Sequence, residues 1–291
     1  MKRILITGGN GFIGKHLRRF LDTNVYEVFA PHSDDLDVTH RGAWNKYRNS
    51  QINHLIHLAG KIFVPASWEM PCEFFEINMG GTLQALEFCR QCGIGLTYVS
   101  AYTYGVPDHL PVNEKDLVKP SNPYACSKHL GELLCKYYSE LFDMDITVLR
   151  LFNVYGPGQS RYMLIPTVVS QILGESPEII VNDIYPKRDY IYIDDVCKAV
   201  VCSIEHSKGF NIFNVGFGSS YSVGEVIDRL QVLCKTSKNV ISRENKRKNE
   251  LNDVVADIRN IQNAWGWKPS VALDDGLRKC VEWYEKNENS N

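Results

Sequence analysis

No apolar run in this sequence reaches the roughly 18 residues that a membrane-spanning helix needs, so no transmembrane segment is expected. The opening MKRILITGG runs into glycines with no small-residue cleavage site, and it does not read as a secretory signal. Excess charge of one sign is also missing. There are 32 Lys and Arg against 34 Asp and Glu, a net charge of −2, which argues against the basic stripe that nucleic-acid binding requires. Nor is there a disulfide framework. The nine cysteines are odd in number and scattered, and reduced thiols fit a cytoplasmic protein. Cys89 and Cys92 form one C-x-x-C, but no second pair exists to complete a zinc site, so no metal is expected. That pair falls late in the helical pattern LQALEFCRQC, which also disfavours a redox motif. Internal repeats and low-complexity tracts are absent.

What is present is a chain of 291 residues, 44% hydrophobic and 23% charged. At about 150 residues per domain this allows two domains or one large one. The first half alternates strand and helix signals. Strands are expected at 3–7, 26–30, 54–59, 96–100 and 146–152, with helices over 12–21, 71–92 and 121–142. Strands separated by helices imply a parallel sheet covered on both faces, and right-handed crossovers make it doubly wound. After about Asn153 the pattern changes, with Gly156-Pro157-Gly158 and then Pro166, Pro177 and Pro186. Residues 1–153 are therefore expected to form a dinucleotide-binding domain. Residues 154–291 are expected to form mainly a smaller lobe, with segments free to rejoin the main sheet.

Thr7-Gly8-Gly9-Asn10-Gly11-Phe12-Ile13-Gly14 lies between the first strand and an amphipathic helix. Glycines at 8, 11 and 14 allow a tight turn, close approach of backbone to a pyrophosphate, and close packing of helix on strand. The helix N-terminus then offers N–H groups to the phosphates. An acid usually meets the adenosine ribose after the second strand, but here His32 and Ser33 hold that place, before Asp34 and Asp35. A site without that acid leaves room for a 2′-phosphate, so NADP is favoured and NAD stays open. Asp37-Val38 is a candidate adenine contact or a solvated loop.

Tyr124-Ala125-Cys126-Ser127-Lys128 puts Tyr and Lys on one helical face. A nearby ammonium is expected to lower the phenol pKa from about 10 and fit Tyr124 for proton transfer. Asn122-Pro123 marks the start of that helix. Ser100 ends a strand and can hydrogen-bond the reacting oxygen beside Tyr124, or simply cap backbone.

Taken in order and spacing, these motifs resemble the extended short-chain dehydrogenase/reductase family, in its NAD(P)-dependent nucleotide-sugar epimerase/dehydratase/reductase branch. The resemblance runs over nearly the whole chain: TGGNGFIG (7–14), HLAG (57–60), INMGGT with Asn78, SAYTYG (100–105) and PYACSK (123–128). It continues through RLFNVYGPGQ (150–159), RDYIYIDDV (188–196), NVGFGSSYSV (214–223) and WGWKPSVALDDGL (265–277). It implies an α/β fold, a Rossmann-type doubly wound parallel sheet with a smaller C-terminal α/β substrate-binding lobe. It implies Ser100, Tyr124 and Lys128 as catalytic residues, with Lys128 also on the nicotinamide ribose. The implied cofactor contacts are Gly8, Asn10, Gly11, Phe12, Ile13, Gly14, His32, Ser33, Asp37, Val38, Leu58, Ala59, Gly60 and Asn78. Asn153 and Arg188 match positions that hold a sugar-nucleotide diphosphate, and a planar guanidinium suits that task. Arg188 could instead pair with Asp189, Asp194 or Asp195. Arg247 is a second phosphate candidate in a charge-dense stretch that equally suits a solvated face. A homodimer is implied through the helices at 71–92 and 121–142.

The resemblance implies epimerisation, dehydration or 4-keto reduction. Dehydratases need an acid pair after the strand-end hydroxyl, where this chain has Ala101 and Tyr102. The missing ribose acid, the short chain and bulky Tyr102 favour reduction. The expected reaction is NADPH-dependent reduction of the 4-keto group of a nucleoside-diphosphate 4-keto-6-deoxyhexose, with Tyr124 as proton donor and Tyr102 among the substrate contacts. An NAD-dependent nucleotide-sugar 4-epimerase is the alternative, and a non-catalytic NADP(H)-binding protein a remote one.

Overall fold

The structure, a computed structural model, describes residues 1–245 and 249–288. The chain runs β1 (Lys2–Thr7), α1 (Phe12–Phe20), β2 (Tyr26–Phe29), β3 (His54–His57), α2 (Val64–Glu69), α3 (Pro71–Phe74), α4 (Gly81–Cys92), β4 (Gly95–Ala101), α5 (Pro123–Phe142) and β5 (Ile146–Leu151). It continues through β6 (Asn153–Tyr155), α6 (Leu164–Leu173), β7 (Glu178–Val181), β8 (Lys187–Tyr192), α7 (Ile193–His206) and β9 (Phe210–Val215). It ends with β10 (Ser220–Ser222), α8 (Val223–Leu233), β11 (Asn239–Ser242), α9 (Arg259–Trp265) and α10 (Leu273–Glu288).

Six strands form one all-parallel sheet in the order β2-β1-β3-β4-β5-β9. Ile4 and Ile6 of β1 and Ile56 of β3 enter the core on one face, while Leu5 and Leu55 enter the core on the other. Unbroken apolar runs are what strands buried on both faces require. Leu17 of α1 and Val196 and Val200 of α7 cover the first face. Leu86 and Phe88 of α4 and Cys135 of α5 cover the second. This is the doubly wound α/β fold that the strand–helix alternation predicts.

The strand order also places the site. β2 lies to one side of β1, whereas β3, β4 and β5 step away on the other. The winding reverses between β1 and β3, and an open parallel sheet binds ligands at the carboxyl ends of strands flanking such a reversal. Those ends are Thr7 and His57.

Past β5 the chain builds a smaller α/β lobe from the sheet β10-β8-β6 and the pair β11-β7, with α6, α8 and α10 packed together. β9 leaves this lobe and pairs with β5 in the main sheet.

Two helices differ in detail from expectation. The single helix expected over 71–92 carries a wide π turn at Phe75–Gly80 between α3 and α4. The helix expected from 121 begins at Pro123, because the Asn122 side chain caps it, accepting the Ala125 N–H at 2.8 Å. Among the described residues no helix is long and apolar enough to cross a membrane.

Candidate active site

A cavity of about 750 Å³ opens at the strand ends where the winding reverses. Its floor is the glycine turn. Gly8 has φ +69°, and a Cβ there would lie 2.7 Å from the Ala59 nitrogen. The turn is closed by the Gly11 N–H donating to the Gly8 carbonyl at 3.0 Å. No side chain caps α1 behind Gly11, so the N–H groups of its first turn are left for an anion. A cradle this tight, at the N-terminus of a helix, fits a dinucleotide pyrophosphate. Gly14 packs so closely that a Cβ would meet the Gly8 oxygen and the Gly9 Cα at 2.5 Å. Both are backbone atoms, so the turn itself must move. Gly14→Ala is expected to destabilise the fold by about 1–3 kcal/mol and to weaken dinucleotide binding at least about tenfold, equivalent to about 1.4 kcal/mol. Thermal melts and fluorescence titration check both. Unchanged dinucleotide affinity would remove this turn from the cofactor site.

The cavity is lined by Gly8, Gly11, Phe12, Ile13, Gly14, Leu58, Ala59 and Gly60, and by Ser100, Tyr102, Tyr124, Lys128, Asn153 and Arg188. These are residues up to 180 positions apart in sequence, brought to one place by the sheet. Asn10, His32, Ser33, Asp37, Val38 and Asn78 are not among the lining residues. The Asn10 side-chain oxygen accepts from Arg18 at 3.0 Å. His32 and Ser33 are exposed beyond β2. The Asp37 carboxylate accepts from the Thr39 N–H and hydroxyl at 2.9 and 2.7 Å, and Val38 is buried with its carbonyl accepting from the Trp44 indole. Arg247 lies outside the described residues.

Asn78 sits behind the wall. The π turn carries it to Lys61, whose N–H donates to Asn78 Oδ1 at 2.8 Å. Its amide in turn donates to the Lys61 carbonyl at 3.0 Å and to Ser127 Oγ at 2.9 Å. It thus ties the segment after β3 to the α5 turn that holds Tyr124 and Lys128.

Lys128 is buried, with its ammonium 4.4 Å from the centre of the Tyr98 ring. Burial lowers its pKa to about 8, against the opposing charge of Glu132. Tyr124 corrects one expectation. Burial pushes its phenol above the ordinary value, and the Lys128 ammonium does not offset that in this arrangement. The phenol is neutral here rather than a ready phenolate.

Ser100 neither caps backbone nor stands alone. Its hydroxyl donates to Glu132 Oε1 at 2.5 Å. Arg188 donates to the carbonyls of Lys187 and Leu251 at 2.7 Å and pairs with Glu250. Its partner is therefore none of the three aspartates considered from sequence. Asp189 instead accepts the backbone N–H groups of Phe217, Gly218 and Ala256. Glu250, Leu251, Trp68 and Val64 also line the cavity and went unseen in the sequence. No local pattern connects Glu250 to a residue 62 positions earlier. Glu132 went unseen as well, although its place four residues beyond Lys128 on the Tyr124/Lys128 stripe is a signal that could have found it.

A reversal point with a glycine cradle, and Tyr124 beside the buried Lys128 on the wall of the same cavity, define a dinucleotide-dependent enzyme of the short-chain dehydrogenase/reductase type. The chain belongs to the NAD dependent epimerase/dehydratase family, whose model matches residues 4–216. It is 30% identical to UDP-glucuronate 4-epimerase of Thermodesulfobacterium geofontis, over 97% of this chain and 96% of the relative. It is 28% identical to GDP-6-deoxy-D-mannose reductase of Pseudomonas aeruginosa, over 98% and 97%. The structure of RMD from Pseudomonas aeruginosa complexed with NADPH superposes with a TM-score of 0.92 at 27% identity, covering 99% of this chain and 100% of that one.

Proposed function

We propose that the protein reduces the 4-keto group of a nucleoside-diphosphate 4-keto-6-deoxyhexose with NADPH, and that Tyr124 donates the proton. The observation that carries this reading is Tyr102. It occupies the cavity wall beside Ser100, where dehydration would need an acid/base pair with Ala101. Its phenol donates to the Gly105 carbonyl at 2.7 Å, and burial pushes it above the ordinary value, so it does not exchange protons at neutral pH. The rings of Tyr104 and Phe152 brace it edge-on at 5.4 and 5.3 Å. A fixed wall at that point restricts the turning of a hexose ring that epimerisation requires.

Hydride chemistry is what a nicotinamide bound in this cavity supplies. Tyr124, kept neutral by burial, protonates the oxygen that becomes the C4 hydroxyl. Lys128, on the same cavity wall as Tyr124, would hold positive charge there and would contact the nicotinamide ribose. Asn153 and Arg188 take the diphosphate, with Arg247 as a second candidate. The Arg188 guanidinium is engaged by Glu250 and by two backbone carbonyls, so it would take the diphosphate by exchanging Glu250 for phosphate oxygens. NADP is favoured over NAD because His32 and Ser33, not an acid, stand exposed after β2. Leu133, Tyr137 and Leu141 form an exposed apolar stripe on α5, the helix proposed to pair in a homodimer.

A second reading, NAD-dependent 4-epimerisation, draws on the epimerase relative at 30% identity. One experiment separates the two. The protein is incubated with NADPH and a guanosine- or thymidine-diphosphate 4-keto-6-deoxyhexose, and the absorbance of reduced nicotinamide is followed. One NADPH oxidised per sugar is the expected result. Absence of oxidation, together with interconversion, without added cofactor, of two nucleotide sugars that differ only at the C4 hydroxyl, overturns it in favour of the epimerase. Competition between NADP and NAD in the same assay tests the cofactor preference.

A further inference from the structure

Ser100 at the end of β4 stands directly opposite Arg150 of β5 in the parallel register. Glu132 reaches both from α5, on the same helical stripe as Tyr124 and Lys128. Its Oε1 lies 2.5 Å from Ser100 Oγ and 3.0 Å from Arg150 Nε. Its Oε2 takes Arg150 Nη2 at 2.7 Å and faces His129 Nδ1 at 3.1 Å. Ser100, Glu132 and Arg150 are 3%, 3% and 4% exposed. Arg150 is itself held, its guanidinium 4.7 Å from the centre of the Tyr104 ring, so the carboxylate has a fixed partner on its far side.

Burial alone would push the Glu132 carboxyl up. Hydrogen bonds from His129, Arg150 and Ser100, with the Arg150 charge, outweigh it and hold the group below the ordinary range. An ionised carboxylate can only accept. A serine hydroxyl has one proton, and at this distance Glu132 takes it. What remains for the cavity is the pair of serine lone pairs.

We infer that Glu132 is a positioning residue that fixes Ser100 as a hydrogen-bond acceptor toward the reacting oxygen. This rests on the reading of Ser100 and Tyr124 given under the proposed function. In this polarity Ser100 accepts from the Tyr124 phenol or from a substrate hydroxyl, and it cannot donate to a carbonyl. Within the Ser100/Tyr124 pair, Tyr124 is then the donor to a C4 carbonyl. Ser100 holds the hydroxyl form of the sugar.

Glu132→Gln tests the polarity. The amide oxygen can keep Arg150, which leaves the amide N–H₂ facing Ser100 and turns the serine proton into the cavity. Turnover of the guanosine- or thymidine-diphosphate 4-keto-6-deoxyhexose with NADPH is expected to fall about 10- to 100-fold, as for other supporting partners of a reacting group. KM and the NADPH dissociation constant should stay within about twofold, less than 0.5 kcal/mol. The effect should vanish in a Ser100→Ala background, because Glu132 acts through that hydroxyl. An equal fold loss in both backgrounds, or no loss in either, overturns the inference. Should Glu132→Gln fail to fold, the paired change Glu132→Met with Arg150→Met removes both buried charges, a replacement that proteins tolerate. Full turnover in that variant is equally fatal. A readout independent of turnover is the Glu132 carboxylate stretch, assigned by infrared difference against Glu132→Gln, which should shift in Ser100→Ala. An unmoved band contradicts the hydrogen bond. Tyr124→Phe and Ser100→Ala alone separate the two readings. If neither loses turnover, the catalytic assignment falls and takes this inference with it. If both lose turnover and Glu132→Gln does not, only the inference falls.

Discussion

Tyr124→Phe is expected to lower turnover of the 4-keto sugar by about 10²- to 10⁴-fold, the contribution of a positioned general acid. The affinity for NADPH should stay nearly unchanged. The substitution removes one hydroxyl and leaves the ring. That ring packs edge-on against Phe74 at 6.4 Å, so the fold has no reason to suffer. Burial keeps the wild-type phenol neutral at physiological pH, which makes its proton available to a developing alkoxide. Stopped-flow oxidation of NADPH, with fluorescence titration of the cofactor, measures the two quantities separately. A variant that keeps more than about a tenth of wild-type turnover means another group supplies the proton.

The second large effect is on stability in acid. β3 carries two buried histidines. His54 Nε2 lies 2.7 Å from Thr97 Oγ1, and His57 Nδ1 lies 2.7 Å from Thr7 Oγ1. His57 Nε2 is buried without a hydrogen-bond partner among the described residues. Burial lowers His54 to about 4, with Lys2 adding to the shift, and lowers His57 to about 3, with Lys128 adding. Both are depressed below the unfolded value of about 6.5. The unfolded chain therefore takes up protons first. The stability these groups contribute is present above about pH 6.5 and is lost as the pH falls toward their folded values. By pH 4 each has cost about 3 kcal/mol. Asp189 acts in the opposite sense, because burial raises it to about 6 and the folded state gains its proton first. It returns about 2 kcal/mol over the same interval, leaving a loss of about 4 kcal/mol from these three groups together. Against total stabilities of about 5–15 kcal/mol that is a large fraction. Urea unfolding between pH 7 and 4 should show it. His54→Gln and His57→Gln should each flatten the dependence by about one proton, about 1.4 kcal/mol per pH unit. Unchanged slopes in both variants would mean the histidines titrate normally.

Much of the architecture could be read from residue order. Period and spacing gave strand, glycine turn and helix, because those depend on neighbours a few positions apart. Asn122-Pro123 marked the start of α5 for the same reason, although the helical pattern alone ran from 121. The π turn at Phe75–Gly80 escaped, since its wider pitch serves the Asn78 contacts with Lys61 and Ser127, distant in sequence. Arg188 shows the same limit. Three nearby aspartates competed on paper, but chain reversal brought Glu250 to it and turned Asp189 toward three backbone N–H groups.

The sequence by itself determined the doubly wound sheet and the family, with its glycine turn and Tyr124/Lys128 spacing, because each is a local pattern or an ordered set of local patterns. Only the tertiary structure decided how those groups behave. The parallel register that sets Ser100 against Arg150, and the helix that lowers Glu132 onto both, fix which way a serine proton points. Burial, which no sequence spacing encodes, raises the Tyr124 phenol against the expected pull of Lys128. A hydrogen bond's direction and a group's charge depend on what surrounds it in space, and that is settled when the sheet closes.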